Sequence, residues 1–249
     1  MPIAAPVLPD ESLVRRPRFP ACMAAITRPE LYRNFAVHIF VMFPAAIVMC
    51  AIAARIDPLL GFRPFLPSLV AWIVGGAAIL VGGFWVWYVY GYLYLSGGGS
   101  PGTHVDGGPT WLVDTGPYTV IRHPSVLGKL VGVVGLGLAF GSPSFLLGFV
   151  PILVIYSLVT NRWLQERHCD SRFGDVYQTY RERVPMLLPR PAGLRRWARG
   201  EAAVGNDAPR AHGQSPPAVW HELRWYLVGL TVLIVIFALV LLAARSVAG

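Results

Sequence analysis

Apolar residues fall in long blocks separated by shorter polar stretches. Three blocks, 35–54, 69–95 and 226–243, each approach or exceed the ~20 mainly apolar residues that a helix needs to cross a bilayer. A longer apolar tract, 126–160, is interrupted by Gly141-Ser142-Pro143-Ser144. That run breaks helices and predicts two short or tilted spans joined as a hairpin. The expected fold is therefore all-α: a multi-pass membrane bundle of about five transmembrane helices. The polar stretches divide it further into an amino-terminal arm (1–34), the first two spans (35–95), a central region (96–189), a polar linker (190–225) and a last span (226–249).

The central region changes character twice. Residues 96–109 are Gly-rich and cannot be helical, which suits either a flexible linker or a backbone that approaches a ligand closely. After the hairpin, the pattern of 161–189 predicts a helix leaving the membrane and stopping near Phe173-Gly174. A short helix follows, with Val176, Tyr177 and Tyr180 on one side, where they lie on the membrane or cover a pocket. Residues 190–219, rich in Arg, Pro, Gly and Ala, show no apolar periodicity and read as a solvated linker.

Composition supports a membrane class, since 55% of the 249 residues are hydrophobic and only 14% charged. The net charge of +8 would point to nucleic acid in a soluble protein, but here most arginines flank the apolar blocks. Topology and anionic membrane lipid account for them without a nucleic-acid partner. Arg15, Arg16, Arg18, Arg28 and Arg33 precede the first block, Arg55 and Arg63 follow it, and eleven basic residues lie between Arg162 and Arg224. The positive-inside rule then places the amino terminus and the 162–224 segment in the cytoplasm, with no cleaved signal peptide. Arginine predominates, Lys129 being the only lysine, and Ala, Gly and Pro are abundant, as in chains from GC-rich genomes. The expected location is a bacterial inner membrane. Cys22, Cys50 and Cys169 have no regular spacing, so neither a disulfide framework nor a metal site is expected.

The candidate chemistry lies in Gly116-Pro-Tyr-Thr-Val-Ile-Arg-His-Pro-Ser-Val-Leu-Gly128. Pro124 suits the first position of a helix and biases His123 away from helical dihedrals. Arg122 and His123 therefore stand at a helix amino terminus, where free N–H groups and the helix dipole favour an anion. The competing reading is two interfacial side chains that merely anchor the helix. Glu166 likewise reads, by itself, as a surface charge paired with Arg162 at i,i+4.

The ordered set GPY, RHP, Gly128, an apolar hairpin, Glu166, Phe173-Gly174, Tyr177, Tyr180 and Val184-Pro185 shifts that balance. Over about residues 96–189 it resembles the membrane methyltransferases that include isoprenylcysteine carboxyl methyltransferase and the phospholipid methyltransferases. The resemblance implies S-adenosylmethionine as cofactor, in a cytoplasmic pocket lined by Gly116, Pro117, Tyr118, Arg122, His123, Pro124 and Gly128, with Glu166 on the opposite wall. Arg122 or Arg162 would meet the methionyl carboxylate, Glu166 the ammonium or ribose, and the Tyr118 ring the sulfonium. Tyr177 and Tyr180 would face the substrate, a lipophilic or amphiphilic acceptor. A carboxylate acceptor needs no base, whereas an amine or thiol would call on His123. Two departures stand out: Val126 where the family commonly has Tyr, and Gln165-Glu166 where it has an acidic pair. The alternatives are a phospholipid amine acceptor, a membrane reductase using NADPH, and a non-catalytic membrane interaction protein. The oligomeric state is open.

Overall fold

The computed structural model describes residues 17–28, 31, 42–97, 109, 111–205, 228–229, 231–232, 234–239 and 242. Residues 35–41 of the expected first span, nearly all of the Gly-rich loop and the linker beyond 205 lie outside the described residues, as does part of the last span. Among the described residues there are helices and no strand. In chain order they are α1 (Phe19–Ala25), α2 (Phe43–Ile56), α3 (Ser68–Ser96), α4 (Pro124–Ala139), α5 (Val150–Thr160), α6 (Glu166–Arg183) and α7 (Pro191–Arg199). Short 3₁₀ turns cover Asp57–Leu60 and Gly116–Thr119, and π-turns flank α5 at Phe145–Phe149 and Asn161–Gln165.

Among the described residues, three helices are long and apolar enough to cross a membrane: Phe43–Leu60, Ser68–Ser96 and Phe145–Trp163. At 1.5 Å per residue, the 29 residues of α3 reach about 43 Å, past the ~30 Å hydrocarbon layer at one or both ends. α4, with 16 residues, is the short member of the hairpin. Its start at Pro124 and the break before α5 fall where the sequence predicts them. Leu80 is 75% exposed and Leu69, Ile73 and Val81 are also exposed, which suits a lipid-facing surface.

The described residues fall into two compact units. One contains α2, α3 up to Val86, α4 beyond Pro124, α5 and the helical residues near the carboxyl terminus. Its core is Met49, Cys50, Ala53, Val133, Leu136, Phe145, Phe149 and Phe237. Here α3 and α4 meet through glycines. A methyl on Gly82 would fall 2.5 Å from the Gly128 carbonyl oxygen, and one on Gly135 would fall 2.7 Å from that of Gly75. Small residues let helix backbones approach closely where lipid offers no hydrophobic drive for association. The hairpin turn is tied down by Asp57, a buried carboxylate that accepts the Ser142 hydroxyl at 2.6 Å and the Ser144 N–H at 3.1 Å. Ser142 Oγ in turn accepts the Phe145 N–H at 3.3 Å, satisfying a donor at the start of the second hairpin helix.

The other unit holds α1, the end of α3 from Trp87, the segment up to Pro124, α6 from His168, and α7. α1 lies directly on α3, since a methyl on Gly91 would coincide with the Cys22 backbone. The Trp87 indole N–H donates to the Met23 carbonyl at 3.3 Å. The predicted interruption in α6 is present: Gly174 takes φ 56 and ψ −137, splitting the helix. Beyond it, Tyr177 and Tyr180 are buried with Leu112, Phe173, Val184 and Ala203. One expectation fails. Residues 191–199, read as linker, form α7, entered through Pro191 and closed by Gly200 at φ 66. Its stability comes from tertiary contact, because a methyl on Gly193 would meet the Thr119 carbonyl at 2.7 Å and Val120 Cα at 2.9 Å.

Candidate functional site

The Gly116–Pro124 segment is a buried, polar-backbone loop rather than a surface connection. Gly116 opens it at φ 56, and a methyl there would strike the Tyr92 ring at 2.3–2.6 Å. Both facts call for glycine. The Tyr92 hydroxyl donates to Thr115 Oγ1 at 2.8 Å, and the Thr119 hydroxyl donates to the Gly116 carbonyl at 2.8 Å, closing the turn. Pro117, Tyr118, Thr119, Ile121 and Pro124 are buried, and the Tyr118 ring stacks on Tyr92 with centroids 6.5 Å apart.

α6 clamps this loop from its far end. The Tyr180 hydroxyl donates to the Tyr118 carbonyl at 2.8 Å. Arg122 reaches the carboxyl end of α6, where Nη1 donates to the Arg181 carbonyl at 2.8 Å and to the Val184 carbonyl. The backbone N–H groups of Arg122 and His123 donate to Pro185 at 2.9 Å and Met186 at 3.2 Å. A cation at a helix carboxyl terminus satisfies orphan carbonyls and meets the negative end of the dipole. Arg122 thus has a structural task beside the anion-binding one expected from the sequence.

Burial pushes the Tyr118 phenol well above its ordinary range, with smaller contributions from Tyr90, Tyr92 and Cys169. Burial does the same to Tyr180, aided by Tyr118 and Asp114 and opposed by Arg122. Both phenols are neutral donors at physiological pH. His123 is half-buried in the same segment.

The remaining expected residues lie in the bundle unit. Arg162 and Glu166 form the expected i,i+4 pair, Nη1 to Oε2, at 3.2 Å. They are unequal partners: the Arg162 side chain is 58% exposed and that of Glu166 1%. Glu166 is therefore no surface charge. It follows a π-turn, a distortion frequent at functional sites. The first residue of that turn, Asn161, is buried, and its Oδ1 has no hydrogen-bond partner among the described residues. Gly128 sits against α3, where a methyl would fall 2.7 Å from Trp85 Cδ1 and 2.8 Å from Val86 Cγ2, so helix packing by itself accounts for the glycine.

Two buried residues escaped the sequence reading. Asp114 accepts the Val204 and Gly205 N–H groups on Oδ2 at 2.9 and 3.3 Å, and its carbonyl accepts that of Ala203 at 2.8 Å. Asn161 is the other. Asp114 lies two residues ahead of the GPY motif, which was the available signal, while nothing in the sequence marks the π-turn at Asn161. Among the described residues, no group of three or more His, Cys, Asp or Glu side chains is placed to hold a metal ion.

Residues 70–175 match the family model for phospholipid methyltransferase. Over 82 residues the chain is 40% identical to methanethiol S-methyltransferase 2 of Bradyrhizobium diazoefficiens, covering 32% of this chain and 29% of that one. It is 33% identical over 79 residues to protein-S-isoprenylcysteine O-methyltransferase of Schizosaccharomyces pombe, covering 31% and 33%. A third relative is the nickel-cobalt-cadmium resistance protein NccN of Alcaligenes xylosoxydans xylosoxydans, at 34% over 98 residues, 39% of this chain and 41% of that one. The matches thus span about a third of the curated relatives' length. No solved structure matches. The resemblance to the membrane methyltransferases holds on these findings.

Proposed function

We propose that the chain is a membrane methyltransferase that moves a methyl group from S-adenosylmethionine to a lipophilic or amphiphilic acceptor at the cytoplasmic face of a bacterial inner membrane. The observation that carries this reading is the GPY–RHP segment: inside the family match, it forms a buried loop clamped by Tyr180 and Arg122 onto α6. The donor set fits the cofactor. Glu166 is a buried carboxylate, and Asn161 Oδ1 is an open acceptor one π-turn before it. An ammonium and ribose hydroxyls need such acceptors.

The cofactor supplies an electrophilic methyl on sulfonium sulfur, so the protein mainly has to bind, orient and exclude water. In the bundle unit, Glu166 and Asn161 would hold an ammonium or ribose hydroxyls, and Arg162 would meet a carboxylate. In the loop-bearing unit, the Gly116–Thr119 turn would offer backbone and the neutral Tyr118 ring. His123 takes the proton when the acceptor is an amine or thiol and stands idle when it is a carboxylate. Tyr180 acts on this turn, by fixing the Tyr118 carbonyl. Two of the named relatives are, by name, a methanethiol S-methyltransferase and a protein-S-isoprenylcysteine O-methyltransferase; a phospholipid acceptor is the option the matched family adds.

The test is calorimetry of the full chain in detergent with S-adenosylhomocysteine and, separately, NADPH. Binding of the first alone supports a methyltransferase. Binding of NADPH alone would make the chain a reductase, and binding of neither a non-catalytic protein. Mass spectrometry of lipids from cells with and without the intact protein then identifies the acceptor.

A further inference from the structure

α7 lies on the motif loop and turns a basic, partly apolar edge outward. Its inner face is fixed: Gly193 rests on Thr119 and Val120, and Arg196 Nη2 donates to the Thr119 carbonyl at 3.4 Å and the Arg183 carbonyl at 3.3 Å. At 100° per residue the outward arc runs from Leu194 and Ala198 to Arg195 and Arg199. All four are exposed, Leu194 by 49%. The approach to the helix continues the pattern, with Leu188 78% exposed and Arg190 exposed. The acid in contact is Glu201, paired with Arg199 at 3.7 Å, and both side chains are largely exposed.

Chain connection ties this edge to the bilayer. Val120, which α7 packs on, precedes Pro124 by four residues, and Pro124 begins the apolar helix α4. Extended backbone covers at most about 3.6 Å per residue, so α7 stands within reach of the point where the chain enters the membrane.

We propose that α7 is an interfacial helix that binds anionic phospholipid headgroups of the bilayer the protein spans. Leu188 and Leu194 insert among the acyl chains, and Arg190, Arg195 and Arg199 take the phosphates. An amphipathic helix lies in the interface in this way, its apolar edge buried and its arginines at headgroup level. Because Arg196 and Gly193 hold the Thr119–Val120 backbone, lipid engagement also steadies the carboxyl end of the Gly116–Thr119 turn. The inference rests on the chain's being a membrane protein and is independent of the methyl-transfer reading.

Hydrogen exchange of the full chain in nanodiscs tests it without any cofactor. Wild type is compared in discs of phosphatidylcholine alone and of phosphatidylcholine doped with phosphatidylglycerol, alongside an Arg195→Gln/Arg199→Gln double variant. The expected result is slower exchange across α7 in the anionic discs only, lost in the variant and weakened by added salt. Each arginine should account for about a fivefold loss of apparent lipid affinity. Both changes are at exposed side chains, and exchange elsewhere in the chain reports whether the variant folds. Equal α7 exchange in the two discs, or anionic protection that survives in the double variant, overturns the proposal. A failure to bind S-adenosylhomocysteine leaves this measurement unaffected.

Discussion

The bundle unit and the loop-bearing unit are held together by different physics. In the bundle, glycines at 75, 82, 128 and 135 bring α3 and α4 into backbone contact, and the core is nearly all aliphatic and aromatic. In the other unit, long-range contacts run from side chains to main-chain carbonyls: Tyr180 to Tyr118, Arg122 to Arg181 and Val184, Arg183 to Ala203, Arg196 to Thr119. Packing without directional bonds tolerates changes of apolar shape but not added volume at a close crossing. A hydrogen-bonded loop shows the reverse sensitivity: each partner removed leaves a buried carbonyl unsatisfied.

Gly82→Leu should have the largest effect. Its side chain would enter backbone that a single methyl already meets at 2.5 Å, and backbone cannot rotate away as a side chain can. Overpacking of this kind costs more than ~3 kcal/mol where relief requires helices to separate. The neighbouring Gly83, where an added methyl would meet nothing within 4 Å, is the control. Size-exclusion profiles in detergent should show Gly82→Leu lost or aggregated and Gly83→Leu intact. Similar profiles for both would remove the glycine contact as the reason α3 and α4 pair.

Arg122→Lys sharpens the other side of the comparison. Lysine keeps the charge but not the planar fork that bridges two carbonyls at the end of α6. A loss of roughly 2 kcal/mol in thermal unfolding is expected, since hydrogen bonds from charged groups are worth ~1.5–3 kcal/mol and one of the two is forfeited. If Arg122 serves only an anionic ligand, the unliganded variant should melt with wild type, and only ligand binding should suffer.

These contrasts also explain what the sequence could disclose. The apolar block at 69–95, the Gly141–Ser144 break, the start at Pro124 and the interruption at Gly174 are local signals, and each coincides with a structural boundary. α7 is hidden because Pro191 and Gly193 read as helix breakers within only nine residues, and its fixing points lie over 70 residues away at Thr119 and Val120. Arg122 was legible as a cation at a helix amino terminus, but its carbonyl partners lie 59 and 62 residues further along. Gly128 is one residue with two readings, cofactor approach and helix crossing, and its neighbours on α3 account for the second. Burial of Glu166 could not be read from its i,i+4 arginine, since a surface pair has the same spacing.

Glu166→Ala is the direct probe of the cofactor reading. Removal of a charge-assisted hydrogen bond from a desolvated site should weaken S-adenosylhomocysteine binding by roughly tenfold to a hundredfold. The exposed Glu182 supplies the control, with Glu182→Ala expected to bind like wild type. Both variants are compared by calorimetry after a folding check. Equal affinities would leave Glu166 with a structural role alone, even if the protein binds the ligand.

Tyr180→Phe should give the smallest effect, and its pH dependence identifies the cause. The change removes one hydroxyl and leaves the Tyr118 carbonyl without that donor, a cost of about 1 kcal/mol at neutral pH. Both Tyr118 and Tyr180 have raised pKa values in the folded protein, because burial penalises the phenolate. Above about pH 10 the unfolded chain releases these protons while the folded one keeps them, so stability falls as pH rises and is fully present below that point. Tyr180→Phe withdraws one of the two groups, and the alkaline decline should become shallower even though the starting stability is lower. Thermal unfolding in detergent at a series of alkaline pH values measures both quantities. A parallel decline in wild type and variant would mean that Tyr180 titrates as freely in the folded chain as in the unfolded one. That would contradict its burial on α6 against the motif loop.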